Sequence, residues 1–181
     1  MIFFHKHKTF FCCLAAAGLF FIKSIYAQEK NEISLEDNTK AVFIYHFTKY
    51  ITWPKEDSSE TFNIAILGRP GITRPLKEIA GKKTVKNRQI LITELADVPD
   101  TLDYHIIFIH EDFREKIPQI LARTIDKNIL TVGGSEGFSE NGIMINFVVI
   151  NGKIKFEINS DLFPERLQAK NQKMADFSLI T

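Results

Sequence analysis

Few side chains in this sequence are equipped for chemistry, and their spacing points away from catalysis. Beyond the N-terminal segment the histidines are His46, His105 and His110. The run His110-Glu111-Asp112 is the one cluster of ligand-like side chains, but a metal site there needs further ligands converging from elsewhere. The plainer reading is a strand end entering a helix, with Asp112 as N-cap or first-turn acid. His46 falls in an apolar helical arc, where a satisfied, partly buried histidine is the ordinary reading against a ligand or a pH switch. Gly133-Gly134-Ser135-Glu136-Gly137 follows a strand and could cradle an anion with backbone N–H groups. It lacks the spaced G-x-G-x-x-G, so the competing reading is a loop that needs positive φ. Ser135 has no nearby histidine in sequence and no nucleophile elbow around it. We expect no metal, no cofactor and no enzymatic activity.

Binding is better represented than catalysis. Tyr45 stands on the otherwise polar side of a helix, beside Lys49 and close to Trp53. Exposed aromatics next to charge are common interface material. The competing readings are that Tyr45 packs under the preceding leader and that Trp53 plugs the core. A ligand pocket is the second binding reading, at the carboxyl ends of the strands near Gly68, His110, Gly133, Gly134 and Ser135.

The elements that position these residues follow from periodicity. From Lys40 to Trp53, at about 100° per residue, Val42, Phe43, Ile44, Phe47, Tyr50 and Ile51 fall on one arc and Tyr45, Thr48, Lys49 and Thr52 on the other. Pro54 disfavours helix at Trp53, so the helix should end there. Thr61 to Leu67 reads as a strand, Thr73 to Ala80 as a helix stopped by Gly81, and Arg88 to Thr93 as a strand. Tyr104 to Ile109 is a strongly apolar strand. Asp112 to Ile125 has helical spacing, with Pro118 placed to kink or split it. Asn128 to Val132 is a further strand. In Ile143 to Ile158 two alternating runs flank Asn151-Gly152, the pair favoured in a type I′ hairpin turn. The turn sets the register: Val149 opposite Ile154, Phe147 opposite Phe156, Ile145 opposite Ile158, with Asn146 opposite Glu157 and Val148 opposite Lys155 on the other side. Asp161 to the end is read as a last helix with an extended or helical tail. Met144, Val148 and Ile150 among Lys153, Lys155 and Glu157 give the hairpin a mixed face for that helix, or a second copy, to cover. The sum is a three-layer α/β fold: a mostly parallel sheet, flanking helices and a C-terminal antiparallel hairpin.

Met1 to Ala27 has the layout of a secretory signal: His5, Lys6, His7 and Lys8, then an apolar core from Phe10 to Ile22, then Ile25-Tyr26-Ala27 as cleavage site. The apolar core is shorter than the roughly 20 residues a spanning helix needs. The expected organisation is a signal peptide over 1–27, a flexible leader over 28–39 and one domain over 40–181. Both cysteines, Cys12 and Cys13, lie in the removable segment. The mature chain is then free of thiols, which excludes disulfides, cysteine-ligated metals and cysteine nucleophiles together. The full chain has 23 Lys+Arg and 22 Asp+Glu, and loss of Lys6, Lys8 and Lys23 turns this slightly negative. No basic stripe for nucleic acid survives.

The motifs Lys40 to Pro54, Phe62 to Gly68, Tyr104 to His110, Thr131 to Phe138, and Gly142-Ile-Met-Ile-Asn-Phe leading to Phe156-Glu-Ile-Asn159 occur in an order that resembles the YfiR-like proteins, small bacterial periplasmic regulators. The resemblance covers nearly all of the chain from Lys40. It implies a non-enzymatic periplasmic regulator that binds the extracytoplasmic part of a membrane-bound signalling protein. In the best-known member that protein is a diguanylate cyclase, and its restraint lowers cyclic-di-GMP output and biofilm formation; other members resemble sensors working with histidine kinases. A homodimer is a further possibility that the family raises. The well-known inhibitor carries cysteine pairs associated with redox sensing, and this mature chain has none. A disulfide switch therefore does not carry over.

Overall fold

The computed structural model describes residues 34–53, 59–68, 70–162, 168–169 and 178–180. The signal segment, the first half of the leader and Pro54 lie outside these residues. Helix α1 spans Leu35–Tyr50, five residues earlier than the apolar pattern suggests. Its start is set by Ser34, whose Oγ accepts from the Asp37 N–H at 2.9 Å and donates to Asp37 Oδ2 at 2.8 Å. This reciprocal cap satisfies N-terminal groups that otherwise face water. The helix stops at Tyr50, and Ile51–Thr52 form strand β1.

The buried face of α1 is turned from the expected arc. Ala41, Ile44, Phe47 and Ile51 are in the core, together with Thr48, whereas Val42 is 46% exposed. Thr48 is able to bury because its hydroxyl donates to the Tyr45 carbonyl at 2.6 Å. A polar side chain satisfied by its own helix costs little inside.

Strand β2 (Thr61–Leu67) leads to α2 (Thr73–Ala80), then β3 (Thr84–Val85) and β4 (Arg88–Leu95). Strand β5 (Ile106–Ile109) is followed by a 3-10 turn, Glu111–Lys116, and by α3, Ile117–Thr124. Pro118 sits in the first turn of α3, where its missing N–H leaves no intrahelical bond unmade, so the expected helix is split in two. Then come β6 (Leu130–Gly133), β7 (Ile145–Ile150), β8 (Lys153–Ile158), β9 (Gln168–Ala169) and β10 (Ser178–Ile180). The expected last helix falls largely outside the described residues. Those that are described near the end form a 3-10 turn at Ser160–Leu162 and the strands β9 and β10.

The main sheet has the order β10-β8-β7-β6-β5-β2-β4-β3, and β1 pairs separately with β9. From β4 through β2, β5 and β6 to β7 the neighbours are parallel. The chain starts in the middle of this set at β2, moves outward to β4, then returns to β5 and proceeds the other way. The sheet is therefore doubly wound, with its order reversing between β2 and β5. Side chains alternate between two cores. Phe62, Ile64, Ile66, Ile106, Phe108, Leu130 and Val132 pack with α1 and α2 residues such as Ile44, Phe47 and Leu76. Ala65, Leu67, Ile107 and Ile109 pack on the opposite face with Phe113, Ile117, Ile120 and Phe138. The three-layer α/β expectation holds.

The β7–β8 hairpin pairs in the expected register, from Ile145 with Ile158 to Val149 with Ile154 on one face and Asn146 with Glu157 on the other. Asn151 and Gly152 have φ of 51° and 70°, as the primed turn requires. Met144 leaves the mixed hairpin face for the core, at 6% exposure. A Cβ on Gly152 would meet nothing within 4 Å. Gly152→Ala should thus cost only the left-handed backbone strain, about 1 kcal/mol. Urea unfolding should show a lower midpoint with an unchanged m-value.

Candidate functional site

Two features of α1 bear on binding, one on each side of the helix. On the outside, Leu35 is 83% exposed and Val42, two turns on, 46%. Lys49 continues the line a further two turns, with Tyr45 and His46 half-buried beside it. Residues at this spacing lie above one another on a helix surface. The Lys49 ammonium sits 4.6 Å from the Tyr45 ring centroid, a cation–π contact that holds both side chains on this face. The stripe therefore combines apolar, aromatic and cationic groups. Tyr45 also leans on the core, so it is part anchor and part surface. Trp53 is placed elsewhere: at 3% exposure it packs edge-on against Phe62, 5.0 Å between centroids. It plugs the core, and burial removes it from the contact surface that Tyr45 and Lys49 share.

His46 stacks on Tyr50 at 5.9 Å. Partial burial and, secondarily, the nearby Lys49 charge lower its pKa below the usual histidine value. The folded chain then binds fewer protons here than the unfolded chain. Its contribution is in place above the unfolded pKa, near 6.5, and is lost as pH falls through the lowered folded value. His46→Gln should flatten this part of the pH dependence of the thermal midpoint measured from pH 7 to pH 5.

On the inside, α1 helps to enclose a crevice of about 360 Å³. Its walls are Pro70 and Gly71 after β2, His110 and Glu111 after β5, Gly134 and Ser135 after β6, and Ser34, Glu36, Asp37 and Lys40 of α1. Of the expected pocket residues the fold thus brings His110, Gly134 and Ser135 to one cavity. Gly68 stands behind His110: with φ of 100°, its missing Cβ would lie 2.7 Å from His110 Cβ. Gly133 does not line this cavity. A Cβ there would meet Phe138 Cδ2 at 2.6 Å and Asn146 Oδ1 at 2.9 Å, so this glycine serves close packing on the opposite sheet face. Strand alternation separates it from Gly134, whose side faces Phe108 and Lys40. In the glycine-rich loop only Gly137 has positive φ, at 76°; Gly133 and Gly134 are small to make room.

His110 caps the 3-10 turn and meets Asp112 Oδ2 through Nδ1 at 3.0 Å. Asp112 is the first-turn acid of the plainer reading. Among the described residues no cluster of three or more His, Cys, Asp and Glu groups could hold a metal.

A second histidine cluster escaped sequence reasoning because its members are far apart in the chain. His105 is 7% exposed and stacks on Phe62 at 4.2 Å. Its Nε2 lies 3.3 Å from Ser59 Oγ, which resembles a nucleophile with its base. Nδ1 accepts from the Asn63 backbone N–H at 2.9 Å, and Arg88 Nη1 lies 3.1 Å from Ser59 Oγ and 3.3 Å from His105 Nε2. Ser59, Arg88 and His105 thus form one mutually connected polar cluster beside Phe62.

A family model described as YfiR/HmsC-like matches residues 37–166. No match is found among the curated proteins. Among the described residues no helix is long and apolar enough to cross a membrane.

Proposed function

The chain belongs to the YfiR/HmsC-like family, and from that membership we propose that it is a periplasmic regulator of cyclic-di-GMP signalling. It acts without catalysis, by binding the extracytoplasmic part of a membrane-bound signalling protein, a diguanylate cyclase or a histidine kinase. The observation that carries the reading is the outer stripe of α1. Leu35 and Val42 expose apolar surface on the side of the helix turned away from the core and the crevice, and Tyr45 and Lys49 flank them. Such a mixture supports docking of an apolar partner groove with an acidic or polar rim. The signal-like N-terminus supports export to the compartment where such a receptor domain lies.

Regulation by binding requires different affinities for two arrangements of the receptor. The bound chain stabilises whichever arrangement presents the groove to α1. Affinity capture from envelope membranes, followed by reconstitution with the purified extracytoplasmic domain of the recovered protein, tests this. The expected result is saturable, one-site binding that tracks a change in cyclase or kinase output. Saturable binding with no effect on that output, or no membrane signalling protein in the captured material, would contradict the proposal.

A further inference from the structure

In a doubly wound sheet, the loops leaving the strands on either side of the reversal turn to opposite faces and open a crevice beyond the carboxyl ends. Here the reversal lies between β2 and β5, and the crevice of about 360 Å³ lies at that point. We propose that this crevice binds a small zwitterion, its anionic end on Lys40 and its cationic end facing Asp37. The inference rests on the fold and the crevice and is independent of the partner on the outer face of α1.

Charge placement carries the choice of ligand. The Lys40 side chain is 11% exposed, and its Nζ is 3.6 Å from where a Cβ on Gly134 would stand. The glycine leaves the space in front of the ammonium open. Its partner is Glu36, at 2.5 Å and 48% exposed. An exposed carboxylate gives up little when another anion replaces it, so a ligand carboxylate can take over the buried cation. Asp37 is fixed differently: its carboxylate occupies the space over Gly71, where a Cβ would collide, and accepts from Ser34 Oγ at 2.8 Å. Glu111 is also on the wall but is paired with Arg114, 3.4 Å away, as Glu36 is with Lys40, so among the described lining residues Asp37 is the carboxylate left without a cationic partner. A simple anion is repelled by the mouth, and a simple cation meets Lys40 inside. One molecule carrying both signs satisfies both. Asp37 reaches the crevice over Gly71 and Lys40 over Gly134, from one helix three residues apart. A short molecule with a charge at either end, such as a γ-amino acid, matches that arrangement.

Three matched probes test this on the mature chain by NMR titration to tens of millimolar at constant ionic strength: 4-aminobutyrate, butyrate and butylamine. The expected result is saturable shifts at Gly71, His110 and Gly134 for 4-aminobutyrate, with affinity about tenfold or more above either singly charged probe. Lys40→Met keeps the aliphatic stem and should abolish the binding with the fold intact. Gly134→Ala leaves every charge in place and should weaken binding by filling the space before the ammonium, which reads the site if the lysine variant does not fold. Absence of localised shifts, equal response to butyrate or butylamine, or undiminished binding in the folded variants would overturn the proposal.

Discussion

Replacing Phe47 with alanine is expected to lower the unfolding free energy by about 3–5 kcal/mol, a large part of a small domain's stability. Phe47 is 1% exposed and, with Phe43, ties α1 to the C-terminal hairpin. Its ring lies 5.9 Å from Phe147, nearly parallel, and 5.1 Å from Phe156, edge-on. Those two phenylalanines are cross-strand partners in the hairpin. Truncation removes aromatic contacts with both strands and leaves a cavity that Phe43, already placed 5.4 Å from Phe156, fills only in part. Chemical denaturation monitored by near-UV circular dichroism should show the loss. A change below about 1 kcal/mol would mean that the helix docks on the sheet by other contacts.

The second large effect concerns recognition. Val42→Glu places a charge in the middle of the α1 stripe while leaving the core untouched, so unfolding should change by no more than about 0.5 kcal/mol. Binding to the receptor domain should fall by about 30-fold or more, the loss typical of a hot-spot position. Tyr45→Ala should also weaken binding, but it removes core contact as well as surface, and its stability cost has to be measured beside its affinity. Calorimetric titration of wild type and variant gives both comparisons. Unchanged affinity in Val42→Glu would move the contact surface away from α1.

Patterns local in sequence were legible without coordinates. The Asn151-Gly152 turn dictated the hairpin and its register because the turn leaves one pairing available. Pro118 divided the third helical segment where proline chemistry says it should. The phase of α1 was harder, since it depends on two polar residues that bury. Thr48 does so by bonding its own helix, and Lys40 by sending its ammonium into a crevice made by three distant loops. The Ser34 cap is a short S-x-x-D signal that was overlooked in a stretch whose polar composition read as leader. Strand β3 was missed because Lys86-Asn87, with φ of 47° and 65°, makes a tight turn without glycine. Of the residues Gly68, His110, Gly133, Gly134 and Ser135 read as strand-end pocket, three line the crevice, while Gly68 stands behind His110 and strand alternation turns Gly133 to the other face. The α1 wall was invisible, because nothing in sequence shows that a helix crosses those strand ends. The His105 cluster was hidden for the same reason, Ser59 being brought to it by the approach to β2 and Arg88 by β4.

Equilibrium binding between the mature chain and the purified extracytoplasmic domain of its captured membrane receptor, with receptor output followed in the same samples, is the most direct test of function by contact. We expect saturation at one chain per receptor domain, output that changes in proportion to occupancy, and no conversion of any small molecule by the chain. Output that changes without complex formation, or that requires turnover by the chain itself, would contradict this.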